Sequence, residues 1–228
     1  MARTAWTAMC VVGLAAAVGA CGGGSTGPAQ GSLSAAEARD LAATMDGSGN
    51  QVIGDQTGRL DVAARTGALA DVGGGTSGAG AAAPSPDVLS SSTSFHTERD
   101  CRLGGTLTVD GRVDHTYDTS TRTLTADFRA TVTHDACVLT VRGHDITVTG
   151  NPNLTLEAHR MRVDGLPSGV QTLSLKGGFT WVKADGTSGS CQVDLTSQLD
   201  PDARTRTIDG TFCGHDIHES LSWDTTGG

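Results

Sequence analysis

Hydrophobic residues follow two spacings along this chain, a helical one near residue 40 and a strand-like one beyond residue 100. In the first region, apolar residues recur at intervals of three and four, which places them on one face of a helix. Ser34 and Glu37 form the pattern of a capping box at its start. We expect this helix to end at Gly47 and Gly49, and a weaker helical pattern covers 58–70. The apolar stripe consists of Ala38, Leu41, Ala42 and Met45.

From Cys101 onward, apolar and polar residues alternate, which is typical of half-buried β-strands. A turn at 118–121 separates two such runs and predicts a hairpin. If paired positions sum to 239, Val109 lies opposite Ala130 and one face is apolar throughout. The same register brings Cys101 beside Cys137.

A second hairpin is predicted around a turn at 201–202. A pairing sum of 404 sets Cys191 against Cys213, whereas a sum of 403 gives the better apolar match of Leu195 with Ile208. A bulge would reconcile the two registers.

The remaining pattern predicts a mainly β fold. Short connections with Gly, Asn and Pro rule out helical crossovers, so the sheet should be antiparallel. We expect a meander forming a curved sheet, a half-barrel or a small sandwich, with the short N-terminal helix on its concave side. "GHDI" occurs twice and indicates either related hairpins or a chance match of turn motifs. The further strands are predicted near 145–150, 153–163, 170–176 and 178–184.

The N-terminal residues have the pattern of an export signal. Arg3 precedes a run of about 13 apolar or small residues, which is shorter than the roughly 20 that a membrane-spanning helix needs. The run ends in Val-Gly-Ala-Cys, and the segment resembles the signal peptide and lipobox of bacterial lipoprotein precursors. That resemblance implies cleavage before Cys21, acylation of its thiol and attachment to the membrane of the cell envelope. Gly22 in place of Asp favours the outer membrane by the same resemblance; an ordinary secretory signal, leaving Cys21 as a free thiol, is the alternative.

The chain therefore divides into five segments. The low-complexity stretch is almost uncharged and is expected to be a disordered or loosely packed linker. The segments are a signal peptide (1–20), a lipidated flexible tether (21–32), a helical segment (33–71), the linker (72–97) and a disulfide-bonded antiparallel β domain (98–228).

Counting cysteines supports the lipoprotein interpretation. Six cysteines become five when Cys10 is lost with the signal, and acylation of Cys21 leaves an even four. Four cysteines allow three pairings, and proximity across the hairpins favours Cys101–Cys137 and Cys191–Cys213. Metal binding by the four cysteines is the rival, but the chain has no C-x-x-C motif and an exported protein meets an oxidising compartment.

Charge excludes one class of partner. Without Arg3 the mature chain has 15 basic side chains against 25 acidic ones, a net charge of −10. This composition lacks the basic footprint of a nucleic-acid-binding protein.

The sequence contains no catalytic motif and implies no cofactor. Candidate metal ligands are His144, His215 and His218, with neighbouring carboxylates. Two hypotheses follow. The first is a non-enzymatic lipoprotein that has a binding or structural role in the envelope, in one version with an apolar ligand such as a lipid on the concave face. The alternative is a metal binder or metal-assisted hydrolase, which requires the three imidazoles to converge.

Overall fold

A computed structural model describes residues 31–66, 87–150 and 153–223. These ranges form one helix and an open antiparallel sheet, so the predicted mainly β fold is confirmed. The signal peptide, Cys21 and most of the predicted tether lie outside the described residues. The elements are α1 (Ala35–Arg65), β1 (Val88–Asp100), β2 (Thr106–Asp118), β3 (Thr123–Asp135), β4 (Cys137–Val141), β5 (His144–Thr149), β6 (Leu154–Val163), β7 (Leu166–Pro167), β8 (Gln171–Lys183), β9 (Ser188–Asp200), β10 (Thr205–Phe212) and β11 (His215–Ser222).

Helix α1 begins as predicted. The Ser34 hydroxyl accepts a hydrogen bond from the Glu37 backbone N–H, and the Glu37 carboxylate accepts one from the Ser34 N–H at 2.8 Å. The carboxylate also contacts the ammonium of Lys183 at 2.6 Å, and this contact lowers the pKa of Glu37 to about 2. The helix N-terminus is thereby attached to β8. None of the helical residues in the described ranges form a stretch long and apolar enough to cross a membrane.

The predicted end of the helix is wrong, because α1 runs uninterrupted through Gly47 and Gly49 to Arg65. A glycine inside a helix costs about 1 kcal/mol relative to alanine, and tertiary burial outweighs this cost. Gly49 lies against the sheet, where an added Cβ would be 3.4 Å from the nearest atoms of Leu156 and Leu173. The glycine therefore lets helix and sheet approach closely.

The sheet order is β1-β2-β3-β6-β8-β9-β10-β11, and the β4–β5 hairpin pairs with the far end of β8. Near its start, α1 forms ion pairs with both sides of this arrangement: Arg39 with Glu219 of β11, and Asp40 with Arg142 of the β4–β5 turn. The sheet thus curves around the helix. The space between the helix and the centre of the sheet, near Met45, measures only about 10 Å³.

The predicted linker is too long, since β1 occupies Val88–Asp100. Its serine- and threonine-rich sequence pairs along the full length of β2 as an edge strand. Phe95 anchors it by packing edge-on against Phe128, with ring centroids 6.0 Å apart. The rest of the predicted linker that precedes residue 87 lies outside the described residues.

Both predicted hairpins form, but in different registers. In the first, paired positions sum to 241, so Val109 lies opposite Val132 rather than Ala130. The observed register differs from the predicted one by two, an even number, so every side chain stays on the predicted face. In the second, the sum is 405, neither 404 nor 403, and Ile208 lies opposite Ser197 without a bulge in the ladder.

The same four-residue turn accounts for both differences. Asp118 accepts hydrogen bonds from the backbone N–H groups of Ser120 and Thr121, and Asp200 does the same for the corresponding residues of the second hairpin. Arg122 and Arg204 close the two turns with φ of 53°. These Asx-type turns lie later in the chain than the predicted ones, which moves the register.

The predicted strands 170–176 and 178–184 are one strand, β8. Gly177 has φ of 131°, and an added Cβ would lie 2.4 Å from the carbonyl oxygen of Asn153. At this point the partner of β8 changes from β6 to β5. The glycine pair therefore marks an exchange of neighbours rather than a strand end.

Candidate ligand cleft beside the Cys101–Cys137 disulfide

The two predicted disulfides are confirmed. The Cα atoms are 5.5 Å apart in Cys101–Cys137 and 4.3 Å apart in Cys191–Cys213. The first disulfide ties the β1–β2 corner to the start of β4, and the second ties β9 to the β10–β11 turn. Because all four sulfur atoms are in disulfides, none is a thiolate ligand for a metal.

The three candidate metal-binding histidines do not come together. His144 is exposed at the start of β5, His218 is exposed on β11 and pairs with Asp209, and His215 contacts the carbonyl oxygen of Leu33 through Nε2 at 2.9 Å. Among the described residues, no group of three or more His, Cys, Asp or Glu side chains is placed to hold a metal ion.

The structure instead pairs histidines with aspartates across neighbouring strands. Three such pairs stand directly opposite each other in the ladders, all on exposed positions. In one of them the Asp110 carboxylate accepts a hydrogen bond from the His96 ring, which raises the pKa of His96. The pairs are His96–Asp110, Asp127–His159 and Asp209–His218. Sequence reasoning missed them because it considered His-Asp neighbours along the chain, whereas these pairs depend on register.

A cleft of about 360 Å³ lies beside the Cys101–Cys137 disulfide. One wall is the α1 segment from Thr44 to Gln51, and the other is the β1–β2 corner together with β4. Leu103 projects from the corner with half of its surface exposed. This volume falls in the range of small-molecule binding sites.

His134 lies at the floor of the cleft and is only 5% exposed. Burial lowers its pKa to about 4, so the imidazole is neutral at pH 7. Its Nδ1 is buried and has no hydrogen-bond partner among the described residues. An unsatisfied buried polar atom costs about 1–3 kcal/mol, which a ligand that hydrogen-bonds to Nδ1 would recover.

The alternation of β3 could have revealed this histidine. Its inward positions are the even-numbered ones, from Leu124 through Phe128 and Val132, and His134 continues them. The other buried histidine, His115 on β2, is inward for the same reason, and burial lowers its pKa.

Comparisons with protein families, with curated proteins and with solved structures find no match for this chain.

Proposed function

We propose that this protein is an exported bacterial lipoprotein, held to the outer membrane through acylated Cys21, whose folded domain acts by binding rather than by catalysis. The observation that carries the proposal is the pairing of Cys101 with Cys137 and of Cys191 with Cys213. After loss of Cys10 with the signal, Cys21 is left without a cysteine partner. Acylation accounts for this odd cysteine in an oxidising compartment.

The cleft supports a binding role. Its walls mix apolar side chains, such as Met45 and Leu103, with polar and charged ones, such as Arg102, and a buried neutral imidazole lies at its floor. Sites that bind small molecules commonly combine apolar surface with a few polar groups that orient the ligand. The other histidines offer less to a ligand, because the hydrogen bonds that their side chains form in the described residues go to an aspartate or to a main-chain carbonyl, as for His215 and Leu33. At the centre of the concave face, near Met45, α1 leaves only about 10 Å³, which is too little for a lipid, so the proposal assigns small-ligand binding to the cleft.

Native mass spectrometry on the protein extracted from its own membrane in mild detergent tests the anchor. We expect the mass of the mature chain with acyl groups on Cys21 and four hydrogens fewer than the reduced chain. A Cys21→Ser variant should lack the acyl mass and leave the membrane fraction. A mature chain that starts at another residue, or an unmodified Cys21, would contradict the proposal.

The same spectra test the cleft through any ligand that copurifies. Leu103→Asp places a charge at the rim of the cleft, and we expect it to abolish the ligand mass. Leu166→Asp is the matched control, because Leu166 is also an exposed leucine, at 70%, but lies on β7 away from the cleft. Retention of the ligand by the Leu103 variant would place the binding site elsewhere.

A further inference from the structure

A second cavity, of about 240 Å³, lies between the middle of α1 and the inner face of β6, β8, β9 and β10. Three guanidinium groups line it, from Arg160, Arg162 and Arg206, and we call it the arginine pocket. The inward positions of β6 are apolar from Leu154 to Ala158 and then become arginine. The charge is therefore built into the buried face of the sheet, close to its core.

Strand register places the lining side chains side by side. Gln171 of β8 is paired with Leu199 of β9, which in turn is paired with Arg206 of β10. Arg160 extends this row onto β6, because its Nη1 donates to the Thr172 carbonyl at 2.7 Å. Neighbours in such a row have Cβ atoms about 4.5–5.5 Å apart, so the polar groups act on one small volume.

Arg160 is 5% exposed and is bonded to uncharged oxygen atoms. Nη1 donates to the carbonyls of His159 and Thr172, and Nη2 donates to the Asn50 side-chain oxygen at 2.6 Å. Burial lowers the pKa of Arg160 to about 10, which leaves it charged at neutral pH. The hydrogen bonds hold the guanidinium in place but do not neutralise it.

The charges around the pocket do not balance. Arg162 also donates to an uncharged atom, the carbonyl oxygen of Gly165, through Nε and Nη2. With Arg65 of α1 counted beside the three arginines of the pocket, four guanidinium groups lie near two carboxylates of α1 in this part of the described structure. Each carboxylate pairs with one arginine, so the charges of Arg160 and Arg162 are left over. The ion pairs that use the two carboxylates are Asp46–Arg206 and Asp61–Arg65.

The pocket opens to solvent beside α1. Gly54 lies at this mouth and is exposed, and a Cβ added there would meet no atom within 4 Å. Asn50 and Thr57 flank it on the same face of the helix. The missing side chain leaves a passage by which a small ligand reaches the arginines.

We propose that the arginine pocket binds a phosphate group as a dianion. A phosphate monoester carries about −1.5 to −2 charges at pH 7, which matches the excess of two positive charges. Its oxygens suit the fork of a guanidinium, and Arg162 has Nη1 available because the described residues supply no acceptor for it. This site is separate from the cleft, so the proposal is independent of what the cleft binds and of the lipid anchor.

Isothermal titration calorimetry with inorganic phosphate tests the proposal on the full mature chain in a non-ionic detergent. We expect saturable binding that sodium chloride of equal ionic strength does not reproduce. Arg162→Gln should weaken it by about tenfold to a hundredfold, the usual effect of losing a charge-assisted contact. Arg129→Gln, which removes an exposed arginine of β3, is the matched control and should leave the affinity unchanged.

A second variant keeps the test decisive if Arg162 also matters for folding. Gly54→Leu fills the mouth and improves helix propensity, so we expect a more stable protein that binds phosphate at least about tenfold more weakly. The proposal would be overturned if the unmodified protein did not bind phosphate. It would also be overturned if the unmodified protein and both pocket variants bound phosphate with equal affinity.

Titration with a soluble short-chain phosphatidic acid separates two sources of the phosphate. Binding of both this lipid and inorganic phosphate, each weakened by Arg162→Gln, would assign a lipid headgroup as a ligand. Binding of inorganic phosphate alone would assign a water-soluble phosphate compound. The anchor is tested by the mass of the native protein, so failure here leaves that result intact.

Discussion

The two ends of the interface between α1 and the sheet bury different ionisable groups, His134 at the cleft and Arg160 in the arginine pocket. Each is 5% exposed, yet His134 is neutral at pH 7 and Arg160 is charged. Imidazole has an ordinary pKa near 6.5, so desolvation removes its proton, whereas the guanidinium pKa is too high for burial to bring it to neutrality. Three bonded oxygens hold the charged group, whereas no group in the described part of the chain bonds to Nδ1 of the neutral one.

Burial therefore creates two kinds of binding site in one interface. At the floor of the cleft, the buried polar atom without a partner among the described residues is Nδ1 of His134, which favours a ligand that can form a hydrogen bond with it. In the arginine pocket, the positive charges of Arg160 and Arg162 are not balanced by a carboxylate in the described residues, which favours an anion as ligand.

The largest effect should come from the charged end. Asp46→Asn removes a buried carboxylate and leaves Arg206 without its counter-charge, so we expect the free energy of unfolding to fall by about 3 kcal/mol. Urea denaturation measures this change. The control is Asp55→Asn, on the same helix as Asp46. It removes an exposed ion pair with Arg99 of β1 and should lower the free energy of unfolding by less than about 1 kcal/mol. Equal losses in the two variants would show that the charged end is no more sensitive than the surface.

The cleft end should respond to pH. The pKa of His134 is about 4 in the folded protein and about 6.5 in the unfolded chain, so the unfolded state binds more protons between these values. Its contribution to stability is complete above pH 6.5 and falls by about 3 kcal/mol as the pH drops to 4. His115 has a pKa lowered by burial and acts in the same direction.

The measurement that isolates His134 compares unfolding of the unmodified protein and of His134→Gln from pH 7 to pH 4. The variant cannot titrate at this position, so its stability should decline less over this range. Parallel curves for the two proteins would contradict the buried, neutral state of His134.

The smallest effect concerns two glycines in the α1 segment that forms one wall of the cleft. Gly47→Ala adds a methyl group that meets no atom within 4 Å, and it should stabilise the protein by about 1 kcal/mol. Gly49→Ala gains the same propensity but places the methyl group against Leu156 and Leu173, so its benefit should be smaller. Thermal unfolding of the two variants would distinguish them, and a larger gain at Gly49 would mean that helix and sheet are less closely packed there.

Much of the fold could be predicted from local pattern. The capping box at Ser34 and Glu37 gave the helix start, and alternation beyond Cys101 gave the strands and their inward faces. The helix end failed because glycine propensity at Gly47 and Gly49 is a small local term, and the continuing burial of the helix on the sheet outweighs it. Strand β1 was missed because its small polar residues resemble linker sequence until β2 supplies its hydrogen bonds.

The candidate sites were less predictable than the fold. The histidines singled out by short spacing, among them His144 and His218, lie apart on the surface. Arg160 and Arg206 are 46 positions apart in sequence and line one pocket only because β6, β8, β9 and β10 are adjacent. Sequence spacing could not have shown this without the order of the strands.

Local sequence pattern was enough to indicate which strand positions face inward and to favour the two disulfides that the structure contains. Alternation along a strand and the proximity of Cys101 to Cys137 in a predicted hairpin are local properties that survive a register error of two residues. What those inward side chains contact depends on the tertiary structure. The neighbours of His134 and Arg160 come from α1 and from other strands, and their arrangement depends on long-range pairing energies that no short stretch of sequence contains.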